Sequence, residues 1–147
     1  MNDISYNKLG AGNIAELRSL LELYVKVFGD QHLPEDTTYL NELINAEQTF
    51  FFVAQREGHI LGGATAYVLP SIYGAYNELY IYDMAVETEY QHQGIGSELL
   101  TYIKTYAKGM RVQTIYVQAD AEDREARNFY LKNGGIEEDV RHYDFEL

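Results

Sequence analysis

The stretch YQHQGIGS, residues 90–97, decides the fold because it joins a predicted strand, residues 78–86, to a predicted helix, residues 95–108. A strand that enters a helix through such a turn leaves the first backbone N–H groups of the helix unpaired and directed at one point. Gly94 and Gly96 have no Cβ, so a phosphate can approach the backbone closely. The spacing Gln91-x-x-Gly94-x-Gly96 differs from the Walker and dinucleotide-binding patterns. It indicates an anion site, and an ordinary strand-to-helix turn is the alternative.

The composition limits the possible classes of protein and of chemistry. With 147 residues, 46% of them apolar, the chain is long enough to bury a core as one domain, residues 1–147. It has no cysteine, which excludes a disulfide framework, a thiolate metal site and a cysteine nucleophile. The four histidines lack metal-ligand spacing, so no metal is expected; they are His32, His59, His92 and His142.

The chain carries a strong negative charge. Its 11 basic and 23 acidic residues give a formal net charge of −12, which disfavours nucleic acid and anionic membranes as partners and favours cationic ones. Solubility alone is the alternative explanation for this charge. No stretch approaches the roughly 20 apolar residues of a membrane span, and residues 1–6 lack a leader pattern. A soluble, cytoplasmic protein is therefore expected.

Helical and alternating apolar spacing predict ten elements in the order β-α-α-β-β-β-α-β-α-β. The expected strands cover residues 4–9, 49–55, 60–69, 78–86, 114–119 and 140–147, and the expected helices contain residues 14–28, 40–44, 95–108 and 126–130. Asn13 is the expected N-cap of the first helix. The tail alternates from Val140 to Leu147, which predicts a half-buried last strand. This order gives an α+β fold with a mixed sheet, because the crossover helix 95–108 joins parallel strands.

An aspartate interrupts the apolar fourth strand. Simple alternation, unless a bulge breaks it, puts on one face Leu79, Ile81, Asp83 and Ala85. A carboxylate among apolar neighbours is costly to bury unpaired. Asp83 is therefore expected to face a cleft or a partner, with a structural salt bridge as the alternative.

The element order and the glycine turn together resemble the GNAT N-acetyltransferases, whose pyrophosphate loop reads [Arg/Gln]-x-x-Gly-x-[Gly/Ala]. The segment Asp123-x-x-Ala126-x-x-Phe129-Tyr130-x-Lys132-x-Gly134 is similar to the second motif of that family. The tripeptide at residues 84–86 resembles the Leu-Ala-Val that ends the family's fourth strand. Asp123 replaces the usual Asn and Gly134-Gly135 replaces the usual Gly-Phe, which puts the polar contacts of that Asn in doubt.

The resemblance implies that acetyl-CoA is the cosubstrate and that an amine attacks its thioester. It also implies that the fourth and fifth strands splay apart around the pantetheine. Tyr130 matches the tyrosine that protonates the leaving thiolate, and a core tyrosine is the alternative. The implied coenzyme-binding residues are Met84, Ala85, Val86, Gln91, His92, Gln93, Gly94, Ile95, Gly96, Ser97, Asp123, Ala126 and Phe129.

Three stretches, residues 66–70, 78–86 and 115–120, narrow the resemblance to the type I aminoglycoside 3-N-acetyltransferases. That family acetylates the 3-amino group of the 2-deoxystreptamine ring, conferring aminoglycoside resistance, and its polycationic substrates suit a chain of charge −12. The resemblance implies that Asp83 orients the ammonium and accepts its proton. The implied substrate-binding residues are Glu78, Tyr82, Asp83, Asp120 and Glu122, with a helix N-cap as the alternative for Asp120.

Other functions and an assembly stay open at this point. A polyamine, a small amine metabolite or a protein N-terminus could be the acceptor in the same fold. A protein that binds coenzyme A or a partner without catalysis is a further alternative, against which the intact glycine turn and Tyr130 speak. The tail lacks room for the family's closing hairpin, so an unpaired last strand could pair across a homodimer.

Overall fold

A computed structural model of the protein describes residues 3–29 and 32–147. Residues 1 and 2, which begin the N-terminal stretch without a leader pattern, lie outside the described part, as do residues 30 and 31. The elements are β1 (Ser5–Lys8), α1 (Ile14–Phe28), α2 (Thr37–Asn45), β2 (Thr49–Arg56), β3 (His59–Pro70), β4 (Asn77–Val86), a 3-10 turn (Thr88–Tyr90), α3 (Ile95–Lys108), β5 (Val112–Val117) and α4 (Arg124–Lys132). The predicted order is confirmed as far as α4.

One five-stranded sheet in the order β1-β2-β3-β4-β5 forms the middle layer. The first four strands pair antiparallel, and β4 pairs with β5 in parallel. A parallel pair needs a crossover, and α3 supplies it, as the sequence predicted. The predicted mixed α+β sheet is therefore confirmed.

Helices cover both faces of the sheet. On one face, α1 and α2 bury a cluster that includes Leu17, Leu20 and Leu40. On the other, α3 buries Leu99, Ile103 and Ala107 against β2, β3 and β4. Each fully buried Leu or Ile contributes about 1.5–3 kcal/mol relative to exposure. The spacing of these side chains at i and i+4 is the stripe that the sequence predicted for this helix.

The predicted last strand is wrong. Residues 133–147 contain no helix or strand, and their large apolar side chains are exposed, with Ile136 at 93% and Phe145 at 86%. Alternation alone does not make a strand, because a strand needs a neighbour to satisfy its backbone. The start of the tail is held instead by an ion pair, in which Arg127 Nη2 lies 2.6 Å from Glu137 Oε1.

The first helix begins without the predicted cap. Asn13 precedes α1 but makes no side-chain bond to the helix. Its Oδ1 accepts from the Gly10 amide at 2.9 Å, because the tight turn before the helix brings that donor closer. Among the described residues, no helix is long and apolar enough to cross a membrane.

Candidate active site

The N-terminus of α3 has no side-chain cap. Gly94 is its N-cap residue, with φ +87°, a conformation that favours glycine. The first intrahelical bond runs from the Glu98 amide to the Gly94 carbonyl at 3.0 Å. The amides of residues 95–97 therefore have no intrahelical acceptor. Together with the helix dipole, these amides form a site for an anion.

A cavity of about 750 Å³ opens at this helix end, between α3, α4 and the last residues of β4. Its volume is in the range of sites that bind cofactors and small molecules. A Cβ atom on Gly96 would lie 3.1 Å from Cε2 of Phe129. The missing side chain at residue 96 thus lets α4 pack closely on α3 and form one wall of the cavity.

Most of the residues expected to contact a coenzyme line this cavity. They are Met84, Ala85, Val86, Gln91, His92, Gly94, Ile95, Gly96, Ser97, Asp123, Ala126 and Phe129, together with Tyr130. Gln93 lies outside the lining, and its Nε2 donates to the Glu89 carbonyl at 3.2 Å. Gln91 closes the turn, because its Nε2 donates to the Val86 carbonyl at 2.9 Å.

Four lining residues were missed by the sequence analysis. Tyr90 lies in the 3-10 turn, and α4 contributes Glu125, Asn128 and Lys132. The spacing of the three helical residues, i, i+3 and i+7, puts them on one face of α4. That spacing was the available signal.

The parallel pairing of β4 and β5 ends before the cavity. It runs from Asn77 and Val112 to Ile81 and Val117, whereas β4 continues to Val86 along β3. The edge of β4 from residue 82 onward therefore has no pairing with β5. An extended ligand can form main-chain hydrogen bonds with such an edge.

A β-bulge moves Asp83 to the opposite face from the one that alternation predicted. Ile81 pairs with Ala66 and Asp83 pairs with Thr65, so Tyr82 is the extra residue of β4. Ile81 packs in the cluster under α3. Thr65 instead faces α1, because its Oγ1 lies 3.0 Å from the Tyr24 hydroxyl. Paired residues share a face, so the grouping of Asp83 with Leu79 and Ile81 is wrong.

The Asp83 carboxyl is half-buried on the α1 face. Burial raises the pKa of Asp83, and the neighbouring Thr65 hydroxyl partly offsets this rise. None of the salt bridges found among residues 3–29 and 32–147 involves Asp83. The alternative of a structural salt bridge is therefore not supported. Asp83 is adjacent in sequence to Met84, which lines the cavity. Asp83 is not itself a lining residue, and its side chain lies on the opposite face of β4 from that of Met84, which packs in the cluster on the α3 face.

Tyr130 lines the cavity from α4 and is largely buried. Burial first, and then the nearby Asp123 carboxylate, raise the pKa of Tyr130 to about 12. The phenol therefore stays protonated at neutral pH and can donate a hydrogen bond into the cavity. The helix that carries it begins with a side-chain cap, because Asp123 Oδ1 accepts from the Ala126 amide at 3.0 Å.

The other expected substrate-binding residues lie on β4 itself and in the loop between β5 and α4. Asp120 and Glu122 are exposed in the loop between β5 and α4. The helix cap proposed for Asp120 is wrong, because Asp123 is the capping residue. Glu78 is half-buried near the start of β4, and Tyr82 is 63% exposed at the bulge.

The buried carboxylate of Glu87 joins the turn after β4 to α1 and β3. Glu87 accepts from Lys26 Nζ at 2.6 Å and lies 2.9 Å from His59 Nε2. Hydrogen bonding from Lys26, and then from His59, holds the pKa of Glu87 below its usual value. These contacts connect α1 and β3 to the residue that follows β4. They fix the direction in which the chain enters the cavity-lining turn.

Comparisons with known proteins agree with this geometry. The model of the family described as "Acetyltransferase (GNAT) family" matches residues 17–135. No curated protein matches the sequence. Similar structures include an aminoglycoside acetyltransferase, meta-AAC0020, from an uncultured soil metagenomic sample, solved in complex with trehalose and with sisomicin. Its identity to this chain is 33%, its TM-score is 0.94, and the match covers 98% of this chain and 96% of that chain.

A second similar structure is another aminoglycoside acetyltransferase from an uncultured soil metagenomic sample, HMB0005. It is 28% identical, with a TM-score of 0.92 over 99% of each chain. The aminoglycoside N-acetyltransferase AAC(6')-Iy, solved in complex with CoA, is 14% identical, with a TM-score of 0.82 over 100% of this chain and 97% of that chain. At that identity the likeness shows the fold alone.

Proposed function

The chain belongs to the GNAT acetyltransferase family, and from that premise we propose that it transfers an acetyl group from acetyl-CoA to the 3-amino group of the 2-deoxystreptamine ring of aminoglycosides. The observation that carries this proposal is the position of Asp83. Its carboxyl lies on β4, directly before the residues that line the cavity, and it forms none of the salt bridges among the described residues. An acceptor ammonium would supply the missing cation.

The cavity at α3 fits the coenzyme of this family. Acetyl-CoA supplies a thioester that an amine can attack. The free amides of residues 95–97 suit a pyrophosphate, because these residues line the cavity and their amides have no acceptor within the helix. Gly94 presents no side chain that would block this approach. The edge of β4 at residues 84–86 suits the extended arm of the coenzyme, and its backbone donors suit a developing oxyanion.

Asp83 is proposed as the general base. A protonated amine cannot attack, so the site must attract the ammonium and then remove a proton. One carboxylate beside the thioester can do both. The burial that raises the pKa of Asp83 also makes the carboxylate a stronger base than an ordinary aspartate.

Tyr130 is proposed as the acid that stabilises the leaving thiolate. Its phenol lines the same cavity and is protonated at neutral pH, as an ordinary tyrosine is; burial raises its pKa further, to about 12. A hydrogen bond from this phenol to the sulfur would reduce the charge that develops as the C–S bond breaks. Tyr130 therefore acts on the leaving group, and Asp83 acts on the nucleophile.

Charge and relatives support an aminoglycoside as the acceptor. The net charge of −12 attracts polycations, and the carboxylates of Glu78, Asp120 and Glu122 are available as ammonium ligands. The relative meta-AAC0020 is an aminoglycoside acetyltransferase solved with sisomicin, and it is 33% identical to this chain. The proposal includes aminoglycoside resistance as the consequence in a cell.

The first experiment is to mix the protein with acetyl-CoA and a panel of amines, and to follow the release of thiol. The panel contains sisomicin, a linear polyamine, a small amine metabolite and a peptide with a free N-terminus. The proposal expects kcat/KM to be highest for the aminoglycoside. A higher kcat/KM for another acceptor would move the function to that acceptor, and no thiol release with any amine would favour binding without catalysis.

A further inference from the structure

Three tyrosines lie side by side across the sheet, on the face that carries Asp83. Tyr80 on β4 is in register with Tyr67 on β3 and with Tyr116 on β5. The rings of Tyr80 and Tyr116 stack, with centroids 4.7 Å apart and planes at 7°. Tyr82, at the bulge, meets Tyr67 at 5.9 Å and Tyr80 at 5.7 Å, both edge to face. These four residues are called the tyrosine wall below.

The tyrosine wall is not part of the core. Tyr82 is 63% exposed, and the other three rings are partly exposed. The apolar cluster that α1 and α2 form with the sheet includes no described side chain of β5, so that edge of the face is open. Both cation–π contacts in the described part of the chain use other rings, those of Phe50 and Tyr90. Tyr80 and Tyr116 cover one face of each other by stacking, and the remaining ring surfaces of the wall are available to a ligand, that of Tyr82 most of all.

A carboxylate stands at each end of the wall along β4. Glu78 and Tyr80 are two residues apart and share a face, and the bulge brings Asp83 to that same face. Glu78 pairs with Leu69 and Asp83 pairs with Thr65, so four residue steps of β3 span the two positions, which corresponds to about 13 Å between their Cα atoms. Without the bulge, Asp83 would point to the α3 side and the wall would have a carboxylate at one end.

The phenols of the wall are neutral hydrogen-bonding groups at physiological pH. Burial, and then nearby charges that include Asp83, raise the pKa values of Tyr67 and Tyr80. Burial, and then Glu78, raise the pKa of Tyr116. One of these hydroxyls is already oriented, because Tyr80 donates to Gln118 Oε1 at 3.1 Å. The wall thus combines apolar ring faces with hydroxyl groups at their tips.

We propose that the tyrosine wall is the subsite that holds the sugar rings of the acceptor, with one ammonium group at Asp83 and a second at Glu78. Aromatic faces attract ammonium groups within about 6 Å of the ring centroid, and flat amphipathic rings suit a flat hydroxylated ligand. The two carboxylates then select an acceptor with amines on a rigid frame, which loses less conformational freedom on binding than a linear polyamine. This inference rests on the proposed function, since it assigns the part of the acceptor that does not react.

The test measures KM for sisomicin and, by calorimetry, the affinity of the free enzyme for sisomicin. Tyr82→Leu and Tyr116→Leu remove rings at exposed and half-exposed positions, and each is expected to raise KM by about 5- to 10-fold with kcat unchanged. Tyr82→Phe keeps the ring and should stay within about threefold of the parent. Tyr102→Leu is the matched control, because Tyr102 packs in the cluster on the α3 face of the sheet and should leave KM unchanged.

The outcomes separate this inference from the proposed function. If sisomicin is acetylated but both leucine variants keep the parent KM and affinity, the wall is not the subsite and the function stands. If sisomicin binds, and binds less tightly to the leucine variants, but is not acetylated, the subsite stands and the proposed function fails. If Tyr82→Phe loses as much affinity as Tyr82→Leu, the hydroxyl carries the effect, and the assignment of the ring faces is overturned.

Discussion

Replacing Asp83 with asparagine tests the chemical role of this half-buried carboxylate. The substitution keeps the shape of the side chain and deletes its charge, so it removes both the attraction for the ammonium and the proton acceptor. General bases contribute about 10²–10⁴-fold to rate. A fraction of the acceptor amine is already unprotonated in solution and needs no base, which reduces the loss. We therefore expect kcat/KM for an aminoglycoside to fall by ~10² or more at pH 7, the lower end of that range.

The effect of Asp83→Asn depends on pH in a defined direction. The parent needs the carboxylate ionised, and burial raises the pKa of Asp83. Its kcat/KM should therefore begin to fall at a higher pH than an ordinary aspartate would give. This fall of kcat/KM at low pH is the acidic limb of the pH profile, and the variant should lack it. The kcat/KM of the variant should instead rise with pH as more acceptor amine is unprotonated. The difference between parent and variant should thus be largest near neutral pH.

The same substitution should stabilise the fold at neutral pH. A group with a raised pKa binds more protons in the folded state, so its contribution is fully present below the ordinary aspartate pKa and is lost as pH rises through the raised value. Asparagine has no such loss. At pH 7 we expect the free energy of unfolding to rise by about 1 kcal/mol, or Tm by about 2–4 °C, and the gain should vanish in acid.

Thiol release between pH 5 and 9, with thermal melts over the same range, measures both effects. The affinity for acetyl-CoA should be unchanged, because the residues lining the cavity are intact. If the variant keeps the activity and the acidic limb of the parent, Asp83 is not the base. If it is less stable than the parent at pH 7, the carboxylate is stabilising the fold through a partner, and the burial argument is wrong.

Three further substitutions test the remaining roles. Tyr130→Phe should lower kcat by ~10²-fold with little change in acetyl-CoA affinity, since a phenol with a pKa of about 12 is a weak acid. A kcat within twofold of the parent, with chemistry rate-limiting, would mean that Tyr130 is a core residue and not the acid. Gly94→Glu should abolish acetyl-CoA binding in calorimetry. Gly58→Glu is the control, because Gly58 has a similarly positive φ in the β2–β3 turn, and it should only lower Tm. If both variants lose acetyl-CoA affinity equally, backbone strain is the cause and not the blocked anion site. Asp120→Asn should mainly raise KM for the aminoglycoside by about 3- to 10-fold, as expected for a carboxylate that binds ground and transition states alike. If the variant loses only kcat, Asp120 and not Asp83 is the general base.

The turn and the helix after it could be predicted from sequence because their signals are local. Gly94 and Gly96 lie in the same stretch as the apolar stripe of α3, so spacing alone predicted the helix and the unpaired amides at its N-terminus. The sequence offered Asp120 as an alternative cap of α4, whereas the structure has Asp123 in that position. Which carboxylate caps the helix depends on where the first turn begins.

The face of Asp83 could not be predicted, because one extra residue in β4 reverses the alternation that follows it. Nothing in the run from Leu79 to Val86 marks Tyr82 as that residue. The bulge is visible only in the pairing with Thr65 and Ala66 on β3. Long-range register therefore decides which side of the sheet receives the carboxylate.

The tyrosine wall could not be predicted either, although the sequence contains 14 tyrosines. Tyr67, Tyr80 and Tyr116 are far apart in the sequence and come together only through the register of three strands. The prediction of a strand in the tail failed for the opposite reason. Its alternation from Val140 to Leu147 is local and clear, but a strand also requires a neighbour, which the sequence pattern does not supply.

The most direct measurement is the structure of the product made from acetyl-CoA and an aminoglycoside. The parent enzyme should release one thiol for each molecule of drug modified, and NMR of the purified product should place the new acetyl group on the 3-amino nitrogen of the 2-deoxystreptamine ring. An acetyl group on another nitrogen would contradict the assigned position, and an unmodified drug after prolonged incubation with active coenzyme would contradict the assigned function.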